Sequence, residues 1–477
     1  MSEGTHKLSR RQMLKLAAFG STATFLAACT PGQPAQRAGG VGQAGVEQAG
    51  AAQVSEEAVE IIYWASWTGL FEEMVKRIAN AFMEKNPDVK VTHLVIPAAE
   101  MDAKIMTGVA AGDPPDVCMI WGAQRVYTLA ELGGLYALED ALDPNVLADF
   151  KDWVHPPIWD LGTYQGKTWA IPQWNQAYCN LWNKELVAEA GYNPDDPDSL
   201  PKTTLEMVEF TEKITKRRDD GSLEIIGFWD DWINRQMSIW HGQFYDPDTE
   251  TFLINSEENV AALQWMTDMA EWYGMEQIAG FFQQQAGAAQ GTMDLFIAGK
   301  RGVFLQGPWH LGVMGETAPD LEYTVTTIHT HEDKGRGLWT YGDIPSIIAG
   351  GEHLSESARY VTFLCGFGGE EEYSSLYMPA PEGGGRPHCP ISHKLIETDA
   401  WKRVLDAYPG YDKYMETFFE ADYTLVPAKV PISAFVNSRI GSAAEQARTG
   451  MTTPQAALDA AQDEIVAEYE RWRRENG

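Results

Sequence analysis

From Val59 onward the chain alternates short apolar runs with stretches of helical period, and this alternation restricts its fold more than any other feature. Val59 to Trp64 reads as a strand, after which Leu70, Phe71, Met74, Val75, Ile78 and Phe82 recur at helical spacing until Asn86-Pro87 stops the helix. Val91 to Ile96 is the next strand, the segment around Met101, Ile105 and Val109 the next helix, and Val117 to Trp121 a third strand introduced by Gly112-Asp113-Pro114-Pro115-Asp116. Repeated βα units predict an α/β fold with a largely parallel, doubly wound sheet and helices on both faces. Ligands of such sheets bind at the carboxyl ends of the strands. Ser66-Trp67-Thr68 and Trp121-Gly122-Ala123-Gln124 each follow a strand directly, so both belong to that rim.

The chain has 477 residues, room for two to four domains. With 44% hydrophobic and 22% charged residues it can build a large core, which excludes disorder throughout. Its 36 basic residues against 68 acidic ones give a formal charge of −32. That argues against a nucleic-acid partner, whose phosphates require clustered Lys and Arg.

The N-terminus reads as targeting. Ser9-Arg10-Arg11-Gln12-Met13 contains a twin arginine, and the apolar run from Leu16 to Ala28 has 13 residues, too few to span a bilayer but suited to a signal segment occupying residues 1–28. Leu26-Ala27-Ala28-Cys29 resembles the lipobox of bacterial lipoproteins, in which Cys29 would carry the lipid; an ordinary cleavage site containing a cysteine is the alternative. Met13 departs from the aromatic that usually follows the arginines, so general secretion stays open beside twin-arginine export. Cleavage after residue 28 removes four basic and one acidic residue, leaving 32 against 67, or −35. An anionic membrane would repel such a body, so attachment falls to Cys29. Residues 29–57 hold almost nothing large and apolar and read as a flexible tether with a reach of about 30 Å.

Cys118, Cys179, Cys365 and Cys389 remain, with no C-x-x-C spacing, and the sequence does not decide whether any pair. His388-Cys389 with His393, and His329-Thr330-His331-Glu332, contain metal-ligand types at irregular spacing and read as loop residues rather than a metal site. No cofactor motif is present: there is no G-x-S-x-G, H-E-x-x-H or P-loop.

Seven further motifs in order carry a resemblance. Asn86-Pro87-Asp88-Val89, Ala111-Gly112-Asp113-Pro114-Pro115-Asp116-Val117, Leu132-Gly133-Gly134-Leu135-Tyr136, Ala170-Ile171-Pro172, Asn180-Leu181-Trp182-Asn183-Lys184, Ile297-Ala298-Gly299-Lys300-Arg301-Gly302-Val303 with Gly307-Pro308-Trp309, and Ser433-Ala434-Phe435 together resemble the extracellular solute-binding proteins of ABC importers. The nearest type is the sugar-binding group that includes the maltose-binding proteins. The resemblance implies a two-lobed periplasmic-binding-protein type II fold, with solute held between lobes joined by crossing hinge strands. Residues 58–173 and 331–377 would form one lobe, and 174–330 and 378–477 the other. It further implies a monomer that delivers a carbohydrate to permease subunits in the membrane.

Carried over by motif, the expected ligand-binding residues are Ser66, Trp67, Trp121, Gln124, Trp174 and Asn175 on one side. On the other are Trp229, Asp230, Trp232 and Trp309, with Tyr341 and Asp343 where the chain re-enters the first lobe. Chemistry agrees with a sugar, whose apolar C–H face suits a flat aromatic and whose hydroxyls suit amides and carboxylates. Trp182, Trp265 and Trp272 fall inside regular elements and are expected in the core. After Ser433-Ala434-Phe435 the maltose binders carry a stacking aromatic where this chain has Val436, so the glycan or its subsites should differ. Two alternatives remain. Acids and aromatics also cage a cation such as a polyamine, and a glycoside hydrolase would expose Trp beside two carboxylates. Adjacent Asp230 and Asp231 would point to opposite faces of a strand, which weighs against hydrolysis.

Overall fold

A computed structural model describes Ser55 and residues 57–283, 294–339, 341–379 and 382–476. The signal segment, Cys29 and nearly all of the tether lie outside the described residues.

Eight strands build the two larger sheets: β1 Val59–Ala65, β2 Val89–Val95, β3 Val117–Trp121, β4 Trp174–Asn175, β5 Cys179–Asn183, β6 Val303–Gln306, β7 Tyr323–Thr326 and β8 Gly342–Ile347. The first sheet has the order β2-β1-β3-β8-β4. β1 pairs parallel with β2 and β3, as the βα pattern requires, whereas β8 runs antiparallel to both β3 and β4. The sheet is buried on both faces. Val117 and Met119 of β3 enter a core with Phe71, Met74, Ile78 and Phe82 of the helix Leu70–Lys85, while Cys118 and Ile120 enter a second with Val126 and Tyr127 of the helix Ala123–Glu131. The first helix stops at Asn86, whose backbone and side-chain amides both donate to the Phe82 carbonyl at 2.9 Å.

The second sheet, β6-β5-β7, is wholly antiparallel, which corrects the expectation of largely parallel pairing. The βα alternation that suggested it belongs to β1–β3. The neighbours of β5 instead arrive after long excursions and run against it. Alternation along β5 sends Cys179 and Leu181 into a core with Tyr414 and Phe418, and Trp182 into another with Met207 and Phe210. The helix Thr204–Ile214 begins with the expected capping box, Thr203 and Glu206 each bonding the other's backbone amide.

β4 and β5 are joined by residues 176–178, so the chain passes from one sheet to the other within three residues; it returns between β7 and β8. The stretch after Met378 packs with both sheets. Trp401 and Val404 share a continuous core with Tyr373 and Tyr377 and with Cys179 and Leu181. Of the three tryptophans expected inside, Trp182 is fully buried and Trp265 half-buried, but Trp272 is 41% exposed. It sits on the solvent side of the helix Glu257–Tyr273, whose buried stripe runs through Ala262, Met266, Met269 and Tyr273, with the Arg217 guanidinium 6.0 Å over its ring. The four described cysteines are buried and unpaired.

Candidate ligand-binding site

Between the two sheets lies a cavity of about 590 Å³, a size usual for small-molecule sites. One wall is set by sheet register. Asp343 of β8 stands opposite Trp121 of β3 on one side and Trp174 of β4 on the other, which places the three side chains in one row. The Trp174 indole N–H donates to Asp343 Oδ2 at 2.6 Å. Asp343 is 1% exposed, and this burial pushes its carboxyl up from 3.8 to about 7 against the opposing pull of the Trp174 hydrogen bond. Trp67, on the loop after β1, stacks on Phe71 at 4.8 Å and lies 5.3 Å from Trp121. The indole N–H groups of Trp67 and Trp121 are both buried with no partner among the described residues.

The facing wall is aromatic and charged. Trp309 begins the helix Trp309–Thr317 and folds back over Gly307, where a Cβ would lie 1.9 Å from its ring. The Trp309 ring stacks on His388 at 5.4 Å, and His388 stacks on Trp174 at 4.3 Å, a three-ring column between the sheets. His388 Nδ1 faces the Arg386 carbonyl at 2.8 Å, so its proton sits there and donates. Burial holds the ring neutral, its pKa pushed down to about 3.

Asp230 lies in the loop before the helix Ile233–Ile239. It accepts from Arg235 Nε at 3.1 Å, from Arg235 Nη2, from Gln236 Nε2 at 2.8 Å and from the Trp232 amide at 3.4 Å. The Arg235 guanidinium rests 4.5 Å from the ring centroids of both Tyr178 and Trp232. Arg301 donates to the carbonyls of Trp229 and Val303 and lies 4.1 Å over Phe304; burial pulls its pKa down to about 10, so it keeps its charge.

Of the twelve residues expected from sequence, the structure brings Trp67, Trp121, Trp229, Asp230, Trp232, Trp309, Tyr341 and Asp343 to this cavity. The other four do not line it. Trp174 and Asn175 form β4 itself, both fully buried; Trp174 packs into the core, and Asn175 Oδ1 accepts from the Gln176 amide at 2.7 Å. Gln124 is 5% exposed and folds under Gly122, whose positive φ of 83° and missing Cβ make room for it. Ser66 has a buried Oγ with no partner among the described residues. Sequence reasoning missed Phe71, Tyr178, Arg235, Arg301, Phe304 and His388. Tyr178 follows the crossing and Arg235 follows Trp232 by one helical turn, signals that were available; His388 stood out in the sequence only as part of a histidine–cysteine cluster, with nothing to place it in the cavity.

Apart from His388, the two histidine clusters serve other ends. His393 packs on His155 and Phe419, and Glu332 accepts from Thr204 Oγ1 and the Leu205 amide, capping a helix. Among the described residues no group of three side chains could hold a metal.

Residues 77–366 match the family described as bacterial extracellular solute-binding protein. The chain belongs to this family. Its members are substrate-binding proteins that work outside the cytoplasm. The glycerol-3-phosphate-binding periplasmic protein UgpB of Yersinia pestis is 25% identical over 224 residues, covering 44% of this chain and 49% of that one. The lactose-binding protein of Rhizobium radiobacter is 25% identical over 192 residues, 39% and 43% of the two chains. The chain thus spans about half the length of these curated relatives. Among solved structures, CpMnBP1 with mannotriose bound superposes with a TM-score of 0.71 at 22% identity, over 85% of this chain and 99% of that one. The GacH receptor of Streptomyces glaucescens gives 0.65 at 17% identity, over 87% and 99%. This solute-binding protein therefore has the two-lobed fold of those structures, with one mixed and one antiparallel sheet.

Proposed function

We propose that this solute-binding protein captures a neutral oligosaccharide in the cavity between its sheets and hands it to an ABC permease in the membrane. The observation that carries the reading is the state of the cavity's carboxylates. Asp230 is cancelled by Arg235, Asp343 is held near half-protonation at neutral pH, and Asp231 and Asp294 share the field of the charged Arg301, so two guanidinium groups offset much of the charge of a cavity rich in acids. A polyamine would need that charge. A phosphate would need a free cation, whereas Arg235 is held by Asp230 and the charge of Arg301 is answered by Asp294, Asp230 and Asp231 around it. What remains is a wall of Trp67, Trp121, Trp229, Trp232 and Trp309 beside unpartnered indole N–H donors, suited to stacking on sugar faces and bonding their hydroxyls. The mannotriose bound by CpMnBP1 and the maltose bound by MalE3 of T. maritima support the same class.

In this reading residues 58–173 with 331–377 and residues 174–330 with 378–477 move as two lobes about the crossing at residues 176–178. A sugar that touches both walls favours the closed arrangement. The ligand-binding residues are those of the cavity, and the protein turns nothing over. It is exported by its twin-arginine segment, held at the membrane by a lipid on Cys29 and works as a monomer. Thermal unfolding with mannotriose, maltose, glycerol 3-phosphate and spermidine tests the ligand class, since a ligand that binds the native state raises the midpoint. A rise with a neutral sugar is expected. A rise with spermidine alone overturns the reading in favour of a cation binder.

A further inference from the structure

Arg235 occupies an unusual position for a charged residue in a cavity. It is 7% exposed, its guanidinium is held edge-on by the two oxygens of Asp230, and its Cζ lies 4.5 Å from the ring centroids of both Tyr178 and Trp232, which are 6.2 Å apart and meet it from adjacent sides. The three groups come from two places: Tyr178 from the crossing between sheets, and Trp232 and Arg235 from the first turn of the helix Ile233–Ile239, which Trp232 caps. Without Arg235 the same surroundings would be a carboxylate ringed by Tyr178, Trp229 and Trp232 with the exposed Asp231 beside it, which is the chemistry that cages an ammonium ion.

We propose that Arg235 determines the specificity of the cleft: its charge cancels Asp230 and so rejects cationic solutes, and its guanidinium, in contact with both Tyr178 and Trp232, holds those rings where a neutral sugar packs. The inference rests on the carbohydrate reading of the cavity and adds the residue that enforces it. Charge and shape are separable here. A lysine would keep the charge but could not form the two-pronged bond to Asp230 that fixes the group beside both rings. A glutamine would remove the charge and leave Asp230 buried and uncompensated, a state that favours any cation able to enter. Asp230 would then act as a ligand group, a role closed to it while Arg235 and Gln236 occupy both its oxygens.

The test is calorimetric titration of the full-length protein with mannotriose, maltose and spermidine, using wild type, Arg235→Gln, Arg235→Lys and the double variant Asp230→Asn/Arg235→Gln. Arg235→Gln should gain about tenfold or more in spermidine affinity, with a steep loss between 0.1 and 1 M salt, and lose about tenfold for the sugar. Arg235→Lys should still reject spermidine while losing sugar affinity. The double variant restores neutrality, so it should lose the spermidine response, and it folds even where the buried lone carboxylate of Arg235→Gln prevents folding. Equal sugar affinity in wild type and Arg235→Lys, or no gain of spermidine binding in a folded Arg235→Gln, overturns the proposal while leaving the carbohydrate reading intact. Where Arg235→Gln does not fold, sugar affinity in the double variant equal to that of wild type overturns it as well. A wild type that binds none of the sugars defeats the carbohydrate reading. The spermidine comparison then still judges whether Arg235 is what keeps cations out.

Discussion

Replacing Asp343 with asparagine should make the protein more stable at pH 8 and leave it unchanged near pH 4. Asp343 is buried beneath the cavity with one strong donor, the Trp174 indole, and its carboxyl is pushed up to about 7 by loss of water. A carboxyl whose folded pKa exceeds its unfolded value binds its proton more tightly in the native state. Its contribution to stability is therefore full below about pH 4 and is lost as pH rises through about 7, above which the penalty is constant. Converting a rise from 3.8 to about 7 at 1.36 kcal/mol per tenfold change sets a ceiling of about 4 kcal/mol. Relaxation and water entry through the cavity lower it, so a gain of about 1–3 kcal/mol at pH 8 is expected for Asp343→Asn. The asparagine oxygen can still accept the Trp174 proton, so packing is preserved.

Urea unfolding of both proteins at pH 4.5, 6, 7 and 8 measures the difference directly. The gap should open with pH and level off above about 7.5. Parallel curves would show that the Asp343 carboxyl titrates normally and that the row Trp121, Asp343, Trp174 is better hydrated than its burial implies. A variant less stable than wild type at pH 8 would refute the sign, meaning that the cavity stabilises the carboxylate. The same group links ligand to proton. A sugar hydroxyl donating to Asp343 favours the ionised form, so binding at pH 7 should release a fraction of a proton, visible as a dependence of the calorimetric heat on buffer ionisation enthalpy.

Trp174→Ala and Trp121→Ala should separate core from cavity wall: the first costs about 3–5 kcal/mol of stability, because Trp174 is fully buried, while the second weakens sugar binding by about 1–3 kcal/mol with a smaller loss of stability, read by calorimetry and melting. Sugar affinity should stay nearly flat from 0.1 to 1 M salt, since a neutral ligand gains nothing from the protein's negative field; a steep loss would point to a cation. Cys29→Ser should yield soluble or unprocessed protein with unchanged sugar binding, and normal processing with retention in the membrane fraction would exclude a lipid on that residue.

The first sheet was readable because each of its early strands is followed by a helix whose stripe is clean. Phe71, Met74, Val75, Ile78 and Phe82 all prove buried where helical spacing put them, and Thr203 with Glu206 forms the capping box their types foretell. β8 was not readable as antiparallel, since strand direction is decided by where the chain comes back from, and the strands β5 to β7 of the second sheet intervene before β8 returns. Trp272 failed for a different reason: on a helix of mean polarity, an aromatic one position from the stripe reads like part of it. Its aliphatic and aromatic neighbours do not reveal that it faces water.

The site was legible where a residue's place depends on strand ends and illegible where it depends on contacts from afar. Trp67 and Trp121 follow β1 and β3, so the sheet alone delivers them to the rim. Trp174, at the crossing, and Trp309, after β6, both read in sequence as loop tryptophans of the cleft, yet only Trp309 lines the cavity. The difference is His388, more than two hundred residues beyond Trp174, whose ring fills the space between the two indoles and leaves Trp174 on the core side and Trp309 on the cavity side. Asp230 shows the same limit for charge. Its type suggested a ligand acid, but whether a carboxylate is available to a ligand depends on what already bonds it, and Arg235 and Gln236 have claimed both oxygens. A motif therefore tells which residues arrive at such a cleft, while the partners that arrive with them decide whether each one meets the ligand, holds another side chain in place or cancels a charge.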